Sequence, residues 1–397
     1  MPDSFLHGVE VVEIDHGPRP IRTVRSSVIG VVGTAPDADA EVFPMDTPVL
    51  VAGSRREAAR LGEAGTLPDA LASIFDQVGA MVVVIRVAEG SDDSDTRANV
   101  IGGVDAETDA YTGVHALKAA QSRLGLTPRL LIAPGFTHQR PPDPDDPDRL
   151  LANPVVAALQ AIARQLRATI IADGPDTTDE AAIGYRGDWG SARVFLVDPH
   201  VRVDRGGIRT VPVSAAVAGL IARIDAERGF WWSPSNQELF GIIGTARPVD
   251  FRLGDRNARA NYLNENDVAT VIRENGYRLW GNRTCSSDPR WAFLSVRRTA
   301  DMVNESVQRA HLWAVDRAIS RTYIEDVTEG VNGYLRSLKA RGAILGGECW
   351  PDPDLNTPAN ISQGKVYFNF DFTAPYPAEH ITFRSMMTDG YLEELVA

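Results

Sequence analysis

Alternation of apolar and polar positions is clearest at the two ends of the chain. Near the start, Gly8-Val9-Glu10-Val11-Val12-Glu13-Ile14 mixes aliphatic and acidic side chains ahead of the turn residues Gly17, Pro18 and Pro20. This predicts one half-buried strand carrying Val9, Val11 and Ile14. Near the end, Lys365 to Phe372 alternates again, with Val366, Phe368, Phe370 and Phe372 on one face. A proline turn follows at Pro375 and Pro377, and the chain runs out through Leu392 and Leu395 to Ala397. Neither strand has a partner close by in sequence. Either the two termini close one sheet within the molecule, or each strand joins a neighbouring copy. An added strand gains about 0.5–1.5 kcal/mol net per hydrogen bond, so roughly four to six bonds contribute several kcal/mol.

Between the ends the rhythm is that of an α/β layer. Met81 to Val87 is a continuous apolar run, the pattern of a strand buried on both faces. A helical stretch at Gly113 to Leu124, a strand at Arg129 to Ala133 and a helix at Pro154 to Arg167 follow. Next come a strand at Ala168 to Ala172, a helix at Thr178 to Tyr185 and a strand at Arg193 to Val197. Strand and helix in strict turn predict parallel pairing through right-handed crossovers, hence a three-layer α/β sandwich over roughly residues 26–230.

The aromatic cluster Phe230-Trp231-Trp232 and the turn Ser233-Pro234 mark a change of rhythm, and a domain boundary is expected near residue 235. Beyond it the pattern predicts a helix over Glu265 to Asn275 and strands at Tyr277 to Trp280 and Trp291 to Val296. Two long helices follow, Thr299 to Tyr323 and Val327 to Ala340. The chain thus divides into an arm at 1–25, an α/β domain at 26–235, an α+β domain at 236–375 and a second arm at 376–397. Arg336, Lys339 and Arg341 gather at the end of the last helix, where cations either complement the helix dipole or face an acidic partner.

Composition excludes several classes of function. The 397 residues are 44% hydrophobic and 23% charged, which suits a globular chain with room for two or three domains. A net charge of -13 argues against binding a phosphate backbone. No stretch approaches the ~20 apolar residues of a membrane helix, and Met1-Pro2-Asp3-Ser4 does not start like a signal peptide, so synthesis in a cytoplasm is expected. Cys285 and Cys349 form no disulfide framework and no metal-ligand spacing, and are expected as reduced, packed thiols.

Catalytic patterns are thin. Asp173, His200 and Ser214 stand in the Asp, His, Ser order of subtilisin-type hydrolases, but no glycine-rich elbow presents Ser214, which reads more simply as a helix N-cap. Gly30 to Ala35 and Gly241 to Ala246 are similar segments without the lysine or glycine spacing of a phosphate loop, and read as strand-to-turn transitions. His7, His16, His115, His138, His311 and His380 are scattered, and the acidic proline loop Pro141 to Asp148 lacks the spacing of a calcium loop. No cofactor and no metal are implied.

Three groups of residues carry a resemblance. They are His7-Gly8-Val9 with Gly30-Val31-Val32-Gly33-Thr34-Ala35-Pro36; Val211-Pro212-Val213-Ser214 through Ala222-Arg223-Ile224-Asp225 to Pro234-Ser235-Asn236; and Leu263-Asn264-Glu265-Asn266 leading to Gly276-Tyr277-Arg278-Leu279-Trp280-Gly281-Asn282-Arg283-Thr284-Cys285. With them the chain resembles, nearly end to end, the tail sheath proteins of contractile-tailed phages, of the temperate myophage and R-type pyocin group.

That resemblance implies an outer, subtilisin-like α/β domain that is not a protease, and an inner α+β domain. It implies polymerisation as a helical stack of hexameric rings around an inner tail tube protein, with baseplate and tail terminator proteins as further partners. Contraction then drives the tube through a cell envelope, without nucleic acid or membrane insertion by the sheath itself. The setting is a virion tail or tail-like particle assembled in a bacterial cytoplasm. The terminal strands gain a role as arms exchanged between subunits: Val9, Val11, Ile14, Leu392 and Leu395 on the arms; Val366, Phe368, Phe370 and Phe372 on the receiving sheet. Arg336, Lys339 and Arg341 become the expected contact with the tube.

Overall fold

Val82, Val83, Val84 and Ile85 are all fully buried, as a strand covered on both faces requires. They belong to β3 (Met81–Val87) in a sheet with β1 (Ile29–Thr34), β2 (Val49–Ala52), β4 (Leu130–Ile132), β5 (Thr169–Asp173) and β6 (Val194–Val197). Strand order is β2-β3-β1-β4-β5-β6, parallel throughout except that β2 runs antiparallel to β3. The structure is a computed structural model and describes residues 20–146 and 149–395, so the expected strand carrying Val9, Val11 and Ile14 lies outside the described residues.

The period of two sends Val82 and Val84 to one face and Val83 and Ile85 to the other. Helices α1 (Arg55–Ala58), α2 (Leu67–Gln77), α3 (Asp93–Ile101), α4 (Ala120–Leu124), α5 (Pro154–Leu166) and α6 (Asp179–Gly187) connect the strands. The first face packs against α2 and α7 (Ser214–Glu227), through Leu71, Ile74 and Leu220. The second takes Leu117 from a 3-10 stretch, Leu159 and Ile162 from α5, and Tyr185 from α6. Gly219 explains how closely α2 and α7 approach, since a Cβ there would sit 2.7 Å from the Ile74 carbonyl oxygen.

Two small sheets extend this body. One has the order β10-β7-β8, from β7 (Val201–Asp204), β8 (Ile208–Val211) and β10 (Ile242–Thr245); the other has the order β11-β12-β9, from β9 (Gln237–Glu238), β11 (Thr270–Arg273) and β12 (Tyr277–Trp280). Helix α8 (Arg259–Glu265) precedes β11. Leu239, Ile242, Val271, Leu279 and Leu294 enter the core on one face of the main sheet, while Leu263, Val268 and Cys285 enter the other. The larger body therefore continues well past residue 235. Core membership changes within α9 (Leu294–Ala310), whose Met302 and Val303 join a third cluster with Phe230, Val331, Leu335 and Leu338.

Three expected elements differ. The helix expected over Glu265 to Asn275 stops at Glu265, because Asp267 takes a left-handed conformation (φ 57°) and the β-branched run after it pairs with β12. The strand expected at Trp291 to Val296 is instead a 3-10 turn, Pro289–Trp291, followed by the start of α9; a six-residue, mostly apolar run fits both periods. The long helix expected to reach Tyr323 ends at Ala310, and a new one, α10 (Arg321–Ala340), begins after Ser320, whose hydroxyl accepts from the Tyr323 N–H at 3.1 Å. The chain closes with β13 (Gly346–Pro351), the short α11 (Pro358–Ser362) and β14 (Phe368–Thr373).

Candidate assembly surface

Strands β13 and β14 form a sheet of two, antiparallel, with Cys349 opposite Phe370, so the C-terminal strand has a local partner after all; Gly346–Pro351 carries too little apolar alternation to mark it as one in the sequence. Phe368, Phe370 and Phe372 turn toward α10 and the third cluster, while Asn369, Asp371 and Thr373 face outward. The Asp352 N–H donates to the Tyr367 carbonyl at 3.0 Å, which fixes the alternation of the ladder. By that alternation the backbone groups of Gly347, Cys349 and Pro351 point away from β14, and those of Phe368, Phe370 and Phe372 point away from β13.

The two outer edges are unequal. On β13, the Cys349 N–H donates to Asn332 Oδ1 at 2.7 Å, the Cys349 carbonyl accepts from Asn332 Nδ2 at 2.9 Å, and Pro351 has no N–H. At Cys349, the middle of that edge, α10 takes both backbone groups. On β14, no further strand pairs among the described residues. Beside this open edge lies an apolar groove of about 300 Å³ lined by Val307, Ala314, Val327, Val366, Phe368 and Phe370. Cys349 lies at its floor, and burial pushes its thiol up to about 11. The receiving residues named from sequence thus stand together, although the strand itself begins at Phe368, leaving Val366 just before it.

After Ala374 the chain leaves the body. Residues 374–388 have no regular structure, and Gly390–Leu395 forms a 3-10 turn. Phe383 is 91% exposed and Met387 99%, and Ile381, Met386, Tyr391, Leu392 and Leu395 are exposed too. So many bare apolar side chains on one extension mark a surface meant for contact. The base of the extension is fastened to the body. Arg283 donates to both Glu379 carboxylate oxygens, at 2.7 and 2.6 Å, and its guanidinium lies 5.3 Å from the Phe293 ring, against which Tyr376 packs edge-on at 6.2 Å. The sequence gives no sign of this pair, whose members are 96 positions apart.

Ion pairs hold α9 to the larger body. Arg298 and Asp225 meet at 2.6 and 2.9 Å with side chains only 4% and 3% exposed, and Ser26 donates to the same carboxylate. One turn on, Asp301 takes both Arg193 and Arg297, and Glu305 takes Arg129, Arg167 and Arg309. Burial would raise the Glu305 pKa, but the hydrogen bonds and charges of Arg129 and Arg309 outweigh it and hold the carboxyl below its ordinary range. The basic cluster of α10 is on its exposed side: Arg336 pairs with Glu329, Arg341 lies 5.4 Å over the Trp231 ring, and Lys339 is exposed.

Asp173, His200 and Ser214 do not form a relay. The Ser214 hydroxyl donates directly to Asp173 Oδ2 at 2.6 Å and the Ser214 N–H to Oδ1 at 2.7 Å, with both residues fully buried. Asp173 therefore caps α7, and Ser214 is the first helical residue, not the N-cap expected from sequence. The His200 ring lies 3.5 Å from Asp176 and edge-on to His138 at 5.1 Å. Burial, then the neighbouring His200, lowers the His138 pKa. A nucleophile needs an imidazole within reach and access to substrate, and Ser214 has neither. Among the described residues no cluster of three or more His, Cys, Asp or Glu side chains is arranged to hold a metal ion, and no helix is long and apolar enough to cross a membrane.

Comparison with known proteins agrees along the whole chain. The family model for the phage tail sheath protein central domain matches residues 109–285, that for the phage tail sheath C-terminal domain matches 286–388, and that for the tail sheath protein Gp18 domain III N-terminal region matches 26–87. The sequence is 44% identical over 397 residues to a putative prophage major tail sheath protein of Pseudomonas aeruginosa, covering 99% of each chain. It is 37% identical over 404 residues to the tail sheath protein of Escherichia phage P2, covering 99% of this chain and 98% of that one. Among solved structures, the helical sheath of the anti-feeding prophage in its contracted state shares the fold, with a TM-score of 0.69 at 23% identity over 97% of this chain and 100% of that one.

Proposed function

The chain belongs to the phage tail sheath family, and from that premise we propose how one copy engages the next. It is a structural subunit of a contractile tail, not an enzyme, and its place is a phage tail or tail-like contractile particle. Copies polymerise through their arms as a helical stack of hexameric rings around an inner tube, with the stack seated on a baseplate. The C-terminal extension of one copy adds to the open edge of β14 on another, and its apolar side chains fill the groove between α10 and β14. The residues before Ile21 serve as the second arm, a shorter one than the expected 1–25, because Ile21 and Val24 pack on the third cluster of their own copy and the Val24 N–H donates to Ser306 Oγ at 3.1 Å. Such head-to-tail contacts use two different patches, so they propagate without closing on themselves.

The observation that carries this reading is the pairing of an unfilled strand edge with a bare apolar extension on the same chain. The larger α/β body, which keeps the subtilisin order without the relay, forms the outer layer. The smaller unit of α10, β13 and β14 faces the tube and presents Arg336, Lys339 and Arg341 to it. No nucleotide site is required if the extended sheath is a long-lived higher-energy state and contraction releases the difference. Removing residues 380–397 should abolish tubes in negative-stain images while leaving the far-ultraviolet circular dichroism of the subunit unchanged. Tubes of normal length from the truncated chain would refute arm exchange.

A further inference from the structure

We infer that the Arg283–Glu379 pair is a releasable clasp that sets the working length of the C-terminal arm, closed in one end state of the sheath and open in the other. This rests on the arm reading above. Three features of the clasp suit it to opening. Both side chains are partly exposed, 38% for Arg283 and 42% for Glu379, so water can replace either partner. Arg283 already has a second carboxylate, Asp267 Oδ1 at 3.7 Å, and stays paired when Glu379 leaves. Tyr376 packs on Phe293 but remains 57% exposed, so its release uncovers little new surface.

What is released has a defined length. Ala374 is buried in the body, and the clasp pins the chain again five residues later at Glu379. Pro375 and Pro377 keep the segment between them extended, at about 3.1 Å per residue, so opening moves the pivot of the arm back to Ala374 and lengthens the free tether by about 16 Å. A strand that must stay paired with a neighbour while the bodies move past one another needs that slack. An arm fixed at Glu379 would have to break strand pairing instead.

The test uses intact particles carrying Ala292→Cys and Ala378→Cys, which flank the pair and leave Arg283 and Glu379 in place, treated with a short bismaleimide separately in the extended and contracted states. Cys285 and Cys349 are buried and stay silent. Mass spectrometry should find the intramolecular bridge at least tenfold more often in one state than in the other. Equal yields in both states overturn the clasp. The chain ending at residue 379 separates the two ideas: if it still forms sheaths that contract, the arm reading itself falls, whereas a required arm with state-independent bridging rejects the clasp alone.

Discussion

Proline at position 372 tests the open edge of β14 at the level of one hydrogen bond. The Phe372 N–H points away from β13, so Phe372→Pro should leave the β13–β14 ladder intact, and proline is tolerated on edge strands in this orientation. Phe372→Val removes the same ring packing but keeps the N–H. The difference between the two variants therefore isolates the outward donor. Phe368, Phe370 and Phe372 together offer up to six outward bonds, or about 3–9 kcal/mol at 0.5–1.5 kcal/mol each. Losing one donor removes about 0.5–1.5 kcal/mol and strands its partner carbonyl in the interface, which costs about 1–3 kcal/mol more. The sum, about 1.5–4.5 kcal/mol, corresponds to roughly a ten- to thousandfold rise in the critical concentration for assembly. Pelleting assays across a concentration series would measure it, with circular dichroism to confirm that both subunits fold. If the proline and valine variants pellet at the same concentration, β14 does not receive a strand through this edge.

Three further outcomes follow from named contacts. Asp225→Asn leaves Arg298 buried and unpaired, and should cost about 3–5 kcal/mol in urea unfolding of the unassembled chain, whereas Asp225→Leu with Arg298→Met should recover most of that loss. Because Glu305 titrates below its ordinary range when folded, its stabilising contribution is complete above about pH 4.3 and is lost as pH falls through the folded value. Urea midpoints should drop over that interval, and Glu305→Gln should flatten the drop; an unchanged pH profile would contradict the assignment. Reversing Arg336, Lys339 and Arg341 to glutamate should weaken sheath-on-tube assembly and make added salt strengthen what binding remains, while the subunit still folds, and tube binding that ignores both charge and salt would exclude the cluster.

The α/β layer was legible because its signals are local. A doubly buried strand such as Met81–Val87 needs an unbroken apolar run, and the alternation of such runs with helices leaves few topologies. Errors arose where two periods fit the same short segment, as at Trp291 to Val296, or where one left-handed residue ended a helix early, as at Asp267. The domain border near 235 was misplaced because an aromatic turn looks the same inside a body as at its edge; only the cores into which Leu239 and Leu279 pack reveal the difference. At the assembly surface, the alternation of Phe368, Phe370 and Phe372 was readable. The closure of β13 by Asn332 and the hold of Arg283 on Glu379 were not, since both depend on side chains brought together from distant positions.

A cryo-EM map of the assembled sheath, traced through residues 380–395, measures the central claim most directly. The account predicts that this segment runs as a strand along β14 of a different copy, hydrogen-bonded to Phe368, Phe370 and Phe372, with its apolar side chains in the groove beside α10. A trace in which the segment lies on its own copy, with the outer edge of β14 bare in the polymer, would contradict it.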